Sequence, residues 1–158
     1  MPRPAIQVRP RRPEDTPDIS TIYYNTIHAI NAEHYNDKQI AAWAPDVYDS
    51  CFWLDRWQNC LVLVAVEGDT VVGFAELRPT GEVDCLYVHH DYQRQGIASQ
   101  LMARVVEEAK AQKIDRLFAD VSITARPFFL AMEFSVVREQ IVSYRGEEFQ
   151  QFFMERQL

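Results

Sequence analysis

The sequence predicts an α+β fold in which helices flank a mixed, largely antiparallel sheet. Short β-rich segments alternate with amphipathic helical segments, and the pair Gly68-Asp69 between two β-rich segments is typical of an antiparallel hairpin. One apolar segment also leads through a glycine turn into a helix. Because no repeat and no flexible linker interrupts this alternation, residues 1–158 are predicted to form a single domain.

The first half of the chain is predicted to contain one strand and three helices. The strand, 6–9, ends at a proline, and acidic residues after a second proline favour the start of a helix near Glu14. Asn36 is a suitable cap for a short helix over 37–44, and a further helix is expected over 50–58.

The second half is predicted to contain most of the sheet. Strands are expected at 61–66, 71–77 and 83–88, and the amphipathic helix 97–112 follows them. The remaining elements are a strand over 116–121, a helix over 125–132 and β-rich segments at 135–144 and 149–154.

Composition and charge restrict the classes of function. The chain lacks an apolar run near the roughly 18 residues of a membrane span, and its start lacks the apolar segment of a signal peptide, which predicts a cytoplasmic protein that binds no membrane. Three cysteines without a CxxC pair favour reduced thiols over disulfides or a zinc site. The net charge of −7 disfavours nucleic-acid binding and suits a cationic amine.

The segment 82–106 joins a strand to a helix through the turn QRQGIA. The first turn of a helix leaves N–H groups without partners and carries partial positive charge, so it attracts anions. Gly96 and Ala98 would let a pyrophosphate approach the backbone, and Ser99 could add a hydroxyl donor. The turn matches neither the GxGxxG dinucleotide fingerprint nor the Walker loop. We therefore predict a phosphate site of another kind here.

Several segments resemble one known family. QRQGIA fits the pattern Q/R-x-x-G-x-G/A of the acetyl-CoA pyrophosphate loop in the GNAT superfamily of N-acetyltransferases, and the preceding LYVHHDY is similar to the family's acyl-carrying strand. SITARPFFLAMEF is similar to its later helix on the pantetheine and adenine side. HYNDKQIAAWAP and the ending RGEEFQQFFM look most like the small bacterial YafP-type acetyltransferases.

This resemblance implies acetyl-CoA as the cosubstrate. It also implies parallel strands on either side of the phosphate helix that splay apart to admit the cofactor, with a backbone N–H near residues 86–88 binding the thioester carbonyl. The residues it places at the cofactor are Leu86, Tyr87, Val88, Gln93, Arg94, Gln95, Gly96, Ile97, Ala98, Ser99, Ser122, Phe128 and Phe129.

Attack of an amine on a thioester requires a group that removes a proton from the amine. Glu82 and Asp84 are the candidates. They lie two residues apart on a strand, so regular pleating would direct both to the face of Leu86 and into one cleft. The resemblance also places acid/base residues at these strand positions. The competing interpretation is that Glu82 is solvated and Asp84 pairs with a nearby arginine or lysine.

The general acid of the family has no match in this chain. Many GNAT enzymes carry an FY pair followed by GF, with the tyrosine protonating the CoA thiolate, but here the residues are Phe128 and Phe129, then Glu133 and Phe134. The remaining proton donors are Tyr87, Tyr92, Tyr144 and water. Glu133 in place of glycine also predicts a helix end without a left-handed turn.

In GNAT folds the region between the first two strands covers the acceptor site, so His34, Tyr35 and Trp43 are candidates to bind the amine. The adjacent His89 and His90 lie in a loop without a partner cluster, and no metal site is predicted.

Three functions remain open at this stage. The first is an N-acetyltransferase that acts on a primary amine of a small molecule by direct attack in a ternary complex, because Cys85 lacks the adjacent base of a covalent carrier. The second, motivated by Phe129, is a non-catalytic acyl-CoA-binding or sensing module. The third is an acetyltransferase of charged tRNA, which the acidic charge disfavours. A homodimer is left open.

Overall fold

The computed structural model describes residues 4–158, so the first three residues of the proline- and arginine-rich start lie outside the described residues. Within that range the strands are β1 (Ile6–Pro10), β2 (Leu61–Glu67), β3 (Thr70–Leu77), β4 (Val83–Val88), β5 (Arg116–Ser122), β6 (Ser135–Tyr144) and β7 (Glu147–Gln157). The α-helices are α1 (Thr16–Ala29), α2 (Asp37–Trp43), α3 (Ser50–Arg56), α4 (Ile97–Ala111) and α5 (Arg126–Ala131). The order agrees with the predicted one, and only β7 extends clearly beyond both predicted ends.

Two antiparallel sheets, with strand orders β1-β2-β3-β4 and β5-β7-β6, meet at β4 and β5. They join through a parallel bridge between Glu82 and Phe118, where the Phe118 N–H donates to the Gly81 carbonyl at 3.1 Å. In the part of the chain that the structure describes, β4 and β5 pair nowhere else, so they diverge and leave a gap between them. The predicted α+β class, with a largely antiparallel sheet splayed beside the phosphate helix, is confirmed.

Local sequence explains how several elements begin and end. Gly68, at a φ of +61°, turns the β2–β3 hairpin. The Asn36 side chain accepts the N–H of Gln39 at 2.9 Å, and the Gln39 side chain accepts the N–H of Asn36 at 2.8 Å, which forms a capping box at the start of α2. The predicted hairpin and the predicted cap are confirmed.

Helix α4 covers one face of the first sheet. Its apolar side, including Leu101 and Val105, is fully buried against the strands. Gly73 on β3 makes this close packing feasible, because a Cβ there would lie 3.0 Å from the Tyr87 carbonyl oxygen and 3.2 Å from the Leu101 side chain. The missing side chain therefore lets α4 lie close to β3, and this holds the N-terminus of α4 beside the gap.

Helices α1 and α3 cover the opposite face with an aromatic cluster. Trp53 and Trp57 are buried there with Phe74. Tyr23 contacts Trp53 and Tyr87 edge-on, with ring centroids 5.2 and 5.1 Å apart. Within residues 4–158, no helix combines the length and the apolar character needed to cross a lipid bilayer.

A bulge in β4 contradicts the regular pleating assumed for its acidic residues. The residues flanking Asp84 pair with successive residues of β3, so Asp84 itself has no partner on β3. The extra residue breaks the alternation: Cys85 packs with the tryptophans, whereas Leu86 packs beneath α4. Asp84 turns toward arginines on the tryptophan side. The prediction that Asp84 shares a face with Leu86 is therefore wrong.

The end of α5 also differs from prediction. Glu133 adopts a left-handed conformation with a φ of +69°, and the N–H of Phe134 donates to the Phe129 carbonyl at 3.0 Å. Burial of Phe134 and an ion pair between Arg156 and Glu133 at 3.0 Å stabilise this turn without a glycine. The prediction that the glutamate would prevent a left-handed helix end is wrong.

Candidate active site

The gap between β4 and β5 forms a cleft of about 370 Å³. One wall is β4, the other is β5 with the start of α5, and the N-terminus of α4 closes one end. The predicted site residues that line it are Trp43, Asp84, Leu86, Tyr87, Val88, Gln93, Arg94, Gly96, Ile97, Ala98, Ser99, Ser122, Phe128 and Phe129. Glu82, Gln95, His34 and Tyr35 do not line it.

The glycine turn at the N-terminus of α4 opens onto this cleft. Gly96 is the residue before the helix and has a φ of +77°, and Arg94 is also left-handed, with a φ of +60°. A Cβ on Gly96 would meet nothing within 4 Å, so the space in front of it is open. The first-turn residues Ala98 and Ser99 also line the cleft, which brings N–H groups without helical partners to its end.

Two side chains fix the loop that leads into this turn. Gln93 donates from its amide to the Val88 carbonyl at 2.7 Å, and Thr26 on α1 donates its hydroxyl to the same carbonyl at 3.0 Å. Thr26 is almost fully buried, so this bond ties α1 to the end of β4. The C-terminal end of β4 and the glycine turn are therefore held as one unit.

The β4 ladder directs two N–H groups at the cleft. The N–H of His89 donates to the Val72 carbonyl at 2.8 Å, so in an antiparallel ladder the next hydrogen-bonded pair is Phe74 with Tyr87. The intervening residues Leu86 and Val88 consequently direct their N–H groups away from β3. Because β5 has diverged, that side is the cleft, and an anionic oxygen there would meet preorganised donors.

Asp84 lies on the β4 wall and is held by two arginines. Arg56 from α3 reaches one carboxylate oxygen at 3.2 Å, and Arg78 reaches the other at 3.0 Å. A quarter of the Asp84 side chain remains exposed, on the cleft. The arginine pairing that the competing interpretation expected is present, and it keeps a negative charge fixed at the cleft wall.

A buried glutamate behind Asp84 was not singled out from the sequence. Glu76 on β3 is fully buried and accepts from the Arg56 Nε at 3.0 Å and from the Trp57 Nε1 at 2.8 Å. Burial raises the pKa of the Glu76 carboxyl, while Arg56 opposes that rise. Glu76 thereby orients the guanidinium that holds Asp84. A charged residue inside an apolar strand is the only sequence signal for this role.

Glu82 lies next to Asp84 where the two sheets join, behind the cleft wall. Burial raises the pKa of the Glu82 carboxyl, and the neighbouring charges of Asp84 and Asp120 raise it further. A glutamate with a raised pKa holds a proton more readily than an ordinary glutamate does. The two predicted acidic residues thus lie together in different electrostatic environments.

The α5 side of the cleft is apolar and holds few proton donors. Phe129 is buried and contacts Phe134 edge-on, with centroids 4.9 Å apart. Ser122 accepts the N–H of Ala125 at 3.0 Å, so its oxygen stabilises the turn into α5. Of the tyrosines considered as proton donors, Tyr87 and Tyr92 line the cleft and Tyr144 does not. Burial raises the pKa of the Tyr87 hydroxyl well above its ordinary value.

The three predicted acceptor residues have different environments. Trp43 lines the cleft and donates from its indole to the Tyr23 hydroxyl at 3.1 Å. Tyr35 is buried, donating to the Gln150 carbonyl at 2.7 Å and accepting from the Ile123 N–H at 3.0 Å. His34 contacts Thr124 at 2.9 Å near the rim. Tyr35 and His34 therefore fix the segment before α2 over β5, and Trp43 faces the cleft itself.

Further residues of the cleft were missed by sequence reasoning. They include Thr26 and Asn31 from the α1 side, Asp120 on β5 and Gln151 on β7. The alternation of β5 could have found Asp120, because its neighbours Ala119 and Val121 are buried on the α4 side. Asn31 follows the end of α1 and carries no local signal.

The adjacent residues His89 and His90 bear on metal binding, and Cys85 bears on covalent catalysis. His89, His90 and Asp91 bring ligand atoms within 4.8 Å of one another, but the His89 Nδ1 accepts the Asp91 N–H at 3.0 Å. The absence of a metal stays a prediction.

Cys85 is buried, and burial raises the pKa of its thiol well above the ordinary value, which disfavours a nucleophilic thiolate.

Comparison with known proteins gives one consistent result. Residues 31–156 match the family model described as an acetyltransferase (GNAT) domain. The chain is 33% identical over 149 residues to the uncharacterized N-acetyltransferase YafP of Escherichia coli K12, covering 94% of each. It superposes with a TM-score of 0.92 and 29% identity on the crystal structure of a GCN5-related N-acetyltransferase from Rhodopseudomonas palustris, titled as a class-II aminotransferase, covering 100% of this chain and 99% of the other.

A more distant structure shares the fold. The PaiA N-acetyltransferase of Thermoplasma acidophilum, crystallised with coenzyme A, superposes with a TM-score of 0.82 at 22% identity, covering 98% of this chain and 99% of its own. At this identity the likeness supports the architecture alone.

Proposed function

The chain belongs to the GNAT family of acetyltransferases, and on that premise we propose that it transfers an acetyl group from acetyl-CoA to a primary amine of a small molecule by direct attack in a ternary complex. The observation that carries this proposal is the cleft between β4 and β5, with anion-binding N–H groups at one end and N–H donors along its wall. We take residues 1–158 as one catalytic domain.

In the proposed complex, the turn around Gly96 binds the pyrophosphate of acetyl-CoA. Its left-handed backbone and open space allow close approach, and the α4 dipole favours the negative charge. Arg94, in the same turn, adds positive charge. The apolar side chains of Phe128 and Phe129 suit the pantetheine arm. Acetyl-CoA is the cosubstrate of this reaction, as the membership of the acetyltransferase family implies.

The thioester carbonyl would then lie against the N–H groups of Leu86 and Val88. As the amine attacks, negative charge develops on the carbonyl oxygen, and preorganised donors stabilise it most at that moment. The loss of one such donor in other enzymes costs roughly 10²–10³ in rate. Since the donors belong to the backbone, the side chains at these positions are free to pack.

We propose that Glu82 and Asp84 accept the amine proton as a coupled pair. Asp84 faces the cleft, where its fixed charge attracts the protonated amine, and Glu82 behind it has the raised pKa that suits a final proton acceptor. Transfer from the amine to Glu82 passes along Asp84 or a water molecule. In this proposal Asp84 attracts the protonated amine and Glu82 accepts its proton, so the transfer requires both residues.

The departing CoA thiolate needs a proton as well. Phe129 cannot supply it. Tyr87 and Tyr92 are the predicted tyrosines that line the cleft, and burial raises the pKa of the Tyr87 hydroxyl well above its ordinary value. Water reaching the open end of the cleft is the other source. The lack of a hydroxyl at Phe129 favours one alternative function, a non-catalytic acyl-CoA-binding module.

Thiol release distinguishes these functions. The protein is incubated with acetyl-CoA and a panel of polyamines, aminoglycosides, amino acids and peptide N-termini, and free CoA is measured beside acetyl-CoA affinity by calorimetry. Amine-dependent release of CoA with formation of an acetylated amine supports the transferase. Binding of acetyl-CoA without turnover on any amine supports the binding module instead.

Two further assignments stay predictions. A cytoplasmic location is supported by the unpaired cysteines Cys51, Cys60 and Cys85. Partners other than the amine, including a second copy of the chain, stay open to a measurement of mass in solution.

A further inference from the structure

We propose that the acceptor is an aliphatic amine with a second positive charge, and that Asp120 binds this distal charge while the Asn31 amide orients the amine. The inference rests on the proposed function and specifies the class of its acceptor. Four observations carry it: the balance of charge at the sheet junction, the free capacity of Asp120, the unpartnered amide of Asn31 and the apolar surface of Trp43.

Charge at the junction of the two sheets is not balanced by the described residues. Glu76 and Asp84 are matched by the guanidiniums of Arg56 and Arg78. Glu82 and Asp120 form no ion pair within residues 4–158, although Asp120 contributes to the raised pKa of Glu82 and so lies near it. A cation in the cleft would relieve this repulsion.

Asp120 is an exposed residue on the β5 wall of the cleft and has capacity for a ligand. Its neighbours on β5 are buried beneath α4, so its side chain lies on the opposite face, and it lines the cleft. Oxygen Oδ1 accepts from the Gln140 amide at 2.7 Å, and no described residue hydrogen-bonds Oδ2. Gln140 thus orients the carboxylate without neutralising it.

Asn31 provides an independent sign of a ligand. It is 5% exposed, it lines the cleft, and no described residue forms a hydrogen bond with its side-chain amide. Its backbone carbonyl accepts the N–H of His34 at 3.0 Å, which fixes its position. The amide atoms are not among the fully buried unpartnered atoms of the described residues, so they stay accessible from the cleft and are available to a polar substrate.

The aliphatic part of such an amine would lie along Trp43. This ring lines the cleft on the α2 side, and its indole N–H is already occupied by the Tyr23 hydroxyl, which leaves an apolar surface. A second ammonium group also lowers the pKa of the first through repulsion. The diamine therefore loses the proton from its reacting nitrogen more readily than a monoamine does.

Matched substrates test this inference. Putrescine, butylamine and γ-aminobutyrate share a four-carbon chain and differ in the charge at the distal end. We expect kcat/KM for putrescine to exceed that for butylamine about tenfold, equivalent to about 1.4 kcal/mol, and γ-aminobutyrate to be the poorest of the three. Asp120→Asn should remove the preference for putrescine, since it keeps the bond to Gln140 and loses the charge.

Two further variants complete the design. Glu107→Gln removes one charge on the exposed face of α4 and should keep the preference for putrescine. Asn31→Leu should lower kcat/KM for both putrescine and butylamine while acetyl-CoA affinity stays unchanged. Calorimetric binding of putrescine and butylamine to the wild-type protein with CoA bound measures the preference even where a variant fails to fold.

Equal kcat/KM for putrescine and butylamine, or a preference that survives Asp120→Asn, would overturn the inference while leaving the transferase intact. Tight acetyl-CoA binding without turnover on any amine would instead overturn the proposed function, and the inference with it.

Discussion

At the scale of single residues, the proposed site depends on two neighbouring carboxylates, Glu82 and Asp84, that lie in different environments. Asp84 is fixed by Arg56 and Arg78 and faces the cleft, whereas Glu82 is set back and has a raised pKa. The sequence identified both acidic residues but treated them as equivalent positions on a regular strand. The bulge at Asp84 removes both from the face of Leu86, and a single inserted residue leaves no signal in hydrophobic periodicity.

Replacement of Glu82 tests the proton transfer. Glu82→Gln should lower kcat by about 10²-fold and leave acetyl-CoA affinity unchanged, because it removes the final proton acceptor without touching the phosphate turn. Asp84→Asn should lower kcat too, but it leaves Arg78 without a carboxylate partner and Arg56 with Glu76 alone, so it should also lower Tm. Equal kcat in wild type and Glu82→Gln would contradict the assignment of Glu82.

The same variant has a predictable effect on stability. Because folding raises the pKa of Glu82 above its ordinary value of 4.5, the native state retains a proton that the unfolded chain has lost, so this residue reduces stability as the pH rises through that window. Glu82→Gln should therefore raise Tm relative to wild type at neutral pH, with a smaller gain below pH 4.5. A gain that is the same at both pH values would contradict this linkage.

Phe129 stands where the family motif carries the tyrosine that protonates the CoA thiolate. We expect Phe129→Tyr to raise kcat, because a hydroxyl at this cleft position supplies the proton donor that the family motif contains. The measurement is single-turnover CoA release. An unchanged rate would show that water or Tyr92 already protonates the thiolate fast enough.

At the scale of elements, the decisive feature is the single point where the two sheets join. The sequence predicted nearly every strand and helix, because hydrophobic periodicity and turn residues are local. The splay itself was implied only by the family resemblance, since the divergence of β4 from β5 depends on pairing between distant segments. Asn31 and Asp120 were missed for the same reason: only the fold brings them to one cleft.

Gly81 tests the importance of this junction. A Cβ there would lie 2.2 Å from the Arg116 carbonyl oxygen, and its φ is +98°. Gly81→Ala should therefore cost about 2–4 kcal/mol of unfolding free energy and weaken acetyl-CoA binding by displacing β5 from β4. Gly68→Ala is the control, because its φ is +61° but its nearest contact would be 3.9 Å away. Urea unfolding of the pair measures the difference, and equal losses would contradict the account.

At the scale of the whole molecule, the two sheets join at one bridge and diverge from it, with helices packed on both faces of the first sheet. The α4 face positions the phosphate turn, and the α1 and α2 side contributes Asn31 and Trp43 to the acceptor wall. Each substrate therefore approaches a different side of the same gap. In the proposed mechanism the amine therefore reaches the thioester directly, without a covalent intermediate on Cys85.

The most direct test of this account is acetyl-CoA affinity in Gly96→Glu. Gly146→Glu is its matched control, because both glycines are left-handed, with φ values of +77° and +84°, and neither has an atom within 4 Å of a Cβ. The backbone strain is thus similar, and only Gly96 faces the cleft. We predict by calorimetry that Gly96→Glu loses at least about 100-fold in affinity, equivalent to about 2.7 kcal/mol, while Gly146→Glu binds like wild type. Unchanged affinity in Gly96→Glu would contradict the placement of acetyl-CoA between β4 and β5.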